Sequence, residues 1–107
     1  MTTFDDRENA FEAKYAHDAD MQFKADARRN KLLGLWAAGL MGLSGDAAVD
    51  YAKEVVKSDF EEAGHEDVFR KVSEDLGDKA DEKTIRLKMS EFMVEAKAQV
   101  MSEDMRG

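Results

Sequence analysis

Two histidines, His17 and His65, are the only side chains here that titrate near neutrality, since the chain has no cysteine. Glu62-Ala63-Gly64-His65 matches the Glu-x-x-His spacing of carboxylate-bridged di-metal bundles. Such a centre draws on two of these pairs and two further Glu, all aimed into a bundle core. His17 has Lys14 at the equivalent position, so the second pair is missing. Gly64 falls between the two ligands, where a glycine ends a helix. No metal site is expected. His65 reads instead as a surface residue at a helix start, where Glu66 and Asp67 favour the helix dipole. No thiolate nucleophile exists and no Ser has a credible base. Gly39-Leu40-Met41-Gly42 and Ser44-Gly45 lack the Lys and the spacing of a phosphate-binding loop. No catalytic residue is expected, and no cofactor is required.

Two other groups carry interactions rather than bond chemistry. Lys24, Arg28 and Lys31 lie at spacings of four and three, on one helical face, with Arg29 beside them. This cluster suits a phosphate or an acidic protein surface; the alternative is pairing with acidic helices of the same bundle. Phe4, Phe11 and Tyr15, at spacings of seven and four, share another face. Asp5, Asp6, Arg7, Glu8, Glu12 and Lys14 surround them. Three aromatic anchors on a charged stretch are too few to hold a helix down alone. They suit a segment that orders when a groove on another protein offers burial.

The formal net charge of −8 argues against nucleic acid, because phosphate neutralisation needs a basic surface. The charge is uneven: −4 over residues 1–20, +3 over 21–43 and −7 over 44–107. Without cysteine, disulfides are excluded and a reducing compartment is compatible. The acidic N-terminus lacks the apolar core of a signal peptide. The longest apolar run, residues 32–43, includes three glycines and falls short of the about 20 residues needed to span a bilayer. It reads as a buried core helix.

Strong helix formers dominate and proline is absent, which predicts an all-α chain. A first helix is predicted over 3–43, with Thr3 and Asp6 as a capping pair. It is polar up to Asp20 and apolar from Met21, where ordered structure is expected to begin. Gly34 and Ala38 allow close approach of a neighbouring helix, with Trp36 and Leu40 beside the contact. Ser44-Gly45-Asp46 is a break with N-cap chemistry. A second helix is predicted over 46–63, with Ala48, Ala52, Val55, Val56, Phe60 and Ala63 as its apolar stripe and Gly64 as C-cap. A third covers 66–76, with Val68, Phe69, Val72 and Leu76 facing inward. A fourth covers 81–101, with Ile85, Met89, Phe92, Met93, Ala96 and Val100 in a stripe. Leu87, Val94 and Met101 form a second stripe, a candidate partner surface. Residues 102–107 are expected to be loose. The predicted architecture is an antiparallel four-helix bundle (21–107) with a mobile or partly helical N-terminal arm (1–20).

Four stretches stand out: Phe4-Asp5-Asp6-Arg7-Glu8, Phe11-Glu12-Ala13-Lys14-Tyr15, Arg28-Arg29-Asn30-Lys31-Leu32-Leu33-Gly34-Leu35-Trp36-Ala37-Ala38 and Gly64-His65-Glu66-Asp67-Val68. Together they resemble the zeta-type ATPase inhibitor subunit of alpha-proteobacterial F-type ATP synthases. The resemblance is strong across 3–72 and weaker to the C-terminus. It implies a non-catalytic inhibitor, a four-helix bundle whose arm becomes helical at an interface between α and β subunits. There, beside the γ shaft of the catalytic head, the arm blocks rotation in the hydrolysis direction. The implied partner-binding residues are Phe4, Asp5, Asp6, Arg7, Glu8, Phe11, Glu12, Lys14 and Tyr15. The implied location is cytoplasmic, peripheral to the inner membrane through the synthase without membrane insertion. The free protein is expected to be a monomer. The resemblance also implies weak adenine nucleotide binding. The alternative reading is therefore a nucleotide-responsive helical module whose phosphate contacts are Lys24, Arg28, Arg29 and Lys31.

Overall fold

The computed structural model describes residues 19–60 and 66–106. They form four helices, α1 (Ala19–Leu40), α2 (Gly45–Ser58), α3 (Glu66–Leu76) and α4 (Glu82–Arg106), with a 3-10 turn at Gly77–Lys79. No strand occurs among the described residues. The all-α, four-helix architecture is the one the composition and periodicity predict. The expected arm lies outside the described residues, apart from Ala19 and Asp20, which open α1.

Local chemistry sets most of the helix ends. α1 stops at Leu40 rather than residue 43. The Gly42 amide donates to the Gly39 carbonyl (3.1 Å) and the Leu43 amide to Ala38 (2.9 Å), with Gly42 at φ 79°. This is a Schellman closure, which needs a left-handed residue at that position. Ser44 adopts extended N-cap backbone before α2, but its hydroxyl makes no capping bond. α2 ends at Ser58, short of the expected residue 63. The Ser58 hydroxyl donates back to the Val55 carbonyl (2.7 Å), and Asp59 and Phe60 form a turn. α3 has its predicted bounds. α4 continues to Arg106, which corrects the expectation of a loose tail over 102–106; Gly107 lies outside the described residues. Val100 and Met101 pack against Met21 and Ala25 of α1, and Glu103 pairs with Arg28 at 2.8 Å. These contacts extend helical order by about a turn.

Helix α1 is the hub, packed on both α2 and α4. Its C-terminal half joins the main core: Leu33, Ala37 and Ala38 meet Tyr51 and Val55 of α2, Val68, Val72 and Leu76 of α3, and Ile85 and Met89 of α4. Its N-terminal half meets the end of α4 through Met21, Ala25 and Val100. The chain order of these contacts makes α1 and α4 antiparallel. At Gly34, α1 and α2 approach closely: a Cβ there would lie 2.7 Å from the Ala52 Cα. The predicted close approach is therefore real at Gly34. Gly39, one turn on, faces open space. The second stripe of α4 divides, with Leu87 and Val94 exposed at 55% and 72% while Met101 packs inward.

One exposed carboxylate ties α3 to α4, and another caps α4. Arg86 grips Glu66 with two bonds (3.0 and 3.2 Å) and lies 4.0 Å over the Phe69 ring. Asp81 caps α4 by accepting the Thr84 amide at 2.8 Å. The Arg86 bonds hold the Glu66 carboxyl below its ordinary value, and the Thr84 bonds do the same for Asp81. A carboxyl depressed in the folded state adds stability above its unfolded pKa, near about 4, and loses it as pH falls through the folded value. Asn keeps the capping acceptor but does not ionise. Asp81→Asn is expected to leave neutral-pH stability nearly intact and to flatten the acid limb below about pH 4. Denaturation midpoints measured against pH check this, and an acid limb as steep as the parent's would contradict it.

Candidate functional site

All nine arm residues expected to bind a partner, Phe4, Asp5, Asp6, Arg7, Glu8, Phe11, Glu12, Lys14 and Tyr15, lie outside the described residues. So do His17 and the Glu62-to-His65 motif. Among the described residues, no group of three or more His, Cys, Asp or Glu is placed to hold a metal ion.

The basic cluster is described in full, and the fold divides it. Arg28 reaches across to α4, where Nη1 donates to Gln99 Oε1 (2.7 Å) and Nη2 to Glu103 Oε2 (3.0 Å). Lys24 and Lys31 flank it on the same face of α1, both exposed. Neither makes an ion pair among the described residues. The three cations border a groove of about 410 Å3 whose apolar lining comes from Phe23, Ala27 and Val56, with Glu103 the one acid on its edge. Beside it, Phe23 and Phe60 pair with ring centroids 5.6 Å apart. These rings remain 54% and 63% exposed. Phe60 was expected in the buried stripe of α2. That helix ends at Ser58, so Phe60 leaves the helical register and rests on Phe23 at the surface.

Arg29 takes the opposite direction and is only 3% exposed. Its Nε donates to Asn30 Oδ1, and Asn30 Nδ2 donates to Asp59 Oδ2 at 3.1 Å. Burial lowers the guanidinium pKa from its ordinary value, opposed by Asp59 and Asp26. An arginine remains charged regardless, so this group ties α1 to the end of α2 and does not join the other three cations. The sequence held a signal for this. Met21, Ala25, Arg29, Leu33 and Ala37 form a ladder at spacing four, and all five are buried.

Between α2 and α3, a second polar cluster escaped the sequence reading. The buried Tyr51 hydroxyl donates to Asp75 Oδ2 at 2.8 Å, and Lys71 donates to the same oxygen at 3.1 Å. The Lys71 ammonium also lies 5.3 Å from the Tyr51 ring centre and 3.6 Å from Glu54. Burial first, then the bond to Asp75, pushes the Tyr51 phenol well above its ordinary range. A phenol held protonated this way is a strut between helices, not a nucleophile. Asp67, at the start of α3, accepts from Arg70 at Oδ1 (3.0 Å), and its buried Oδ2 has no hydrogen-bond partner among the described residues.

A family model described as ATPase inhibitor subunit zeta matches residues 1–99. A structure solved by NMR in solution is 63% identical, with a TM-score of 0.73, over 78% of this chain and 98% of that one. No curated protein sequence matches the chain.

Proposed function

The chain belongs to the ATPase inhibitor subunit zeta family, and from that premise we infer a non-catalytic inhibitor of ATP hydrolysis by F-type ATP synthase. Its N-terminal segment inserts as a helix at a catalytic interface between α and β subunits, next to the γ shaft, and blocks rotation in the hydrolysis direction. The observation that carries this reading is the reach of the family match, residues 1–99. It takes in the aromatic and acidic arm as well as the bundle. The arm's composition supports a wedge: Phe4, Phe11 and Tyr15 supply apolar anchors, and the charges of residues 5–14 set register. The bundle supplies the body behind the wedge. No helix among the described residues is long and apolar enough to cross a membrane.

The reading is tested by adding the full chain to purified synthase and measuring both directions of turnover. Hydrolysis should fall with rising inhibitor while synthesis continues. Equal loss in both directions, or no loss of hydrolysis, contradicts it.

A second reading has its own support. Lys24, Arg28 and Lys31 converge on one groove, an arrangement that suits the phosphates of an adenine nucleotide. Titration with ATP should then shift the amides of Lys24, Arg28 and Lys31. Shifts confined to other regions, or none, remove this contact.

A further inference from the structure

The groove beside Phe23 is incomplete as it stands. Two aromatic rings, Phe23 and Phe60, sit together at the surface, each more than half exposed. Lys24 and Lys31 rim the adjoining groove without an acidic partner among the described residues, and Arg28 lies between them. An apolar strip with a cationic rim fits an acidic segment that carries aromatic side chains. Residues 1–18 of this chain have that composition: Phe4, Phe11 and Tyr15, with five acids against two bases. That segment is joined to α1 at Ala19, four residues before Phe23.

We propose that residues 4–15 dock back onto the Phe23–Phe60 groove of their own bundle and must leave it to reach the synthase. Phe11 and Tyr15 cover the exposed ring pair, and the arm's acids lie beside Lys24 and Lys31. The geometry permits this. From Phe23 to Lys31 the groove spans about 12 Å of helix, and twelve residues of helix measure about 18 Å. A short reversal before Ala19 lays one along the other. Each exposed ion pair is weak, so the contact is shallow. The tether compensates by giving the arm an effective concentration in about the millimolar range. A shallow site is then occupied much of the time and still releases readily. A docked arm and a nucleotide phosphate compete for the same lysines.

The docking itself does not depend on the inhibitor reading; only its regulatory consequence does. Because the chain has no cysteine, Ala13→Cys provides a unique attachment point for a nitroxide, on the arm face opposite Phe11 and Tyr15. In the free full-length protein, amides of Ala27, Lys31 and Val56 should broaden strongly, and those of Lys79 and Leu87 should not. The broadening should vanish in a Lys24→Glu/Lys31→Glu chain whose core amides, Leu33 and Val72, keep their shifts. If the arm is docked nine-tenths of the time, that variant should inhibit hydrolysis at about ten-fold lower concentration. Absent broadening, or broadening that survives charge reversal, overturns the docking. Broadening that appears only between nitroxide-bearing and isotope-labelled copies assigns the groove to a second chain and overturns the intramolecular form. An unchanged inhibitory concentration overturns the stowed state. A chain that docks its arm yet never inhibits refutes the inhibitor reading alone, because the broadening is read without synthase.

Discussion

Deletion of residues 1–15 is expected to abolish inhibition of ATP hydrolysis while leaving the bundle folded. The two outcomes separate because the described core, from Met21 to Val100, packs all four helices against one another. The bundle should therefore stay folded, and its stability should fall by no more than the docked arm contributes, about 1.4 kcal/mol at nine-tenths occupancy. Inhibition, in contrast, should disappear, because the deleted stretch holds Phe4, Phe11 and Tyr15, the three anchors of the proposed wedge. Single substitutions grade the effect. Burying one large apolar side chain contributes about 1.5–3 kcal/mol. At about 1.4 kcal/mol per factor of ten, Phe11→Ala made in the undocked Lys24→Glu/Lys31→Glu chain should weaken inhibition by about ten- to one-hundred-fold, with Tyr15→Ala close behind; in the parent chain, release of the docked arm offsets up to about ten-fold of that loss. Replacing a rim charge such as Glu8 should cost less, since exposed ion pairs contribute about 1 kcal/mol or below. Hydrolysis rates titrated against each variant check the series. A truncated bundle that inhibits as well as the full chain would place the inhibitory surface on the helices instead.

The second large effect is on stability, and it reverses the sign that local propensity predicts. Ala exceeds Gly in helix propensity by about 1 kcal/mol, so both Gly34→Ala and Gly39→Ala look favourable on α1 alone. At Gly34 the new Cβ would lie 2.7 Å from the Ala52 Cα, 3.1 Å from its Cβ and 3.3 Å from Val55 Cγ2. The nearest atom is backbone, which no rotamer change can move aside. Helices α1 and α2 must separate, and overpacking of that kind costs about 1–3 kcal/mol. Gly34→Ala should therefore destabilise the bundle in spite of its better propensity, and Gly34→Val should do so more severely. At Gly39 no atom lies within 4 Å of the added methyl, so Gly39→Ala should stabilise by up to about 1 kcal/mol. Chemical denaturation of the two variants side by side decides it. A stabilised Gly34→Ala chain would mean that the helices tolerate a wider spacing than the structure shows.

The helices that the chain announces most clearly are those bounded by local signals. Val68, Val72 and Leu76 sit between Glu66-Asp67 and Gly77, and α3 has its predicted bounds because acid-rich start, apolar ladder and glycine stop all lie within twelve residues. The end of α4 was not legible. Its last turn is held by Arg28, seventy-five residues away in sequence, and nothing local distinguishes Ser102 from a fraying terminus. Phe60 misled for a related reason. Its spacing fits the stripe of α2, but the helix ends at Ser58 and the chain continues as a turn, with the Asp59 and Phe60 amides bonded three residues back to Val56 and Lys57. Arg29 was readable by its place in the buried ladder and was grouped with its neighbours by charge alone.

For the candidate site, spacing on α1 was enough to put Lys24, Arg28 and Lys31 on one face, since helical geometry is local. Only the tertiary structure made that face a groove. Val56 arrives from α2 and Glu103 from α4, and the close contact of α1 and α2 at Gly34 accompanies their pairing. The sequence alone determined the all-α class and the approximate place of each helix, and its motifs carried the resemblance to the family that the match over residues 1–99 bears out. The class and the helices follow from periodicity, capping and composition, all properties of neighbouring residues. The tertiary structure decided which basic residue is buried, which aromatic ring is exposed, and where α4 stops. Each of those depends on a partner far along the chain, and burial is a property of the assembled helices, not of any one of them.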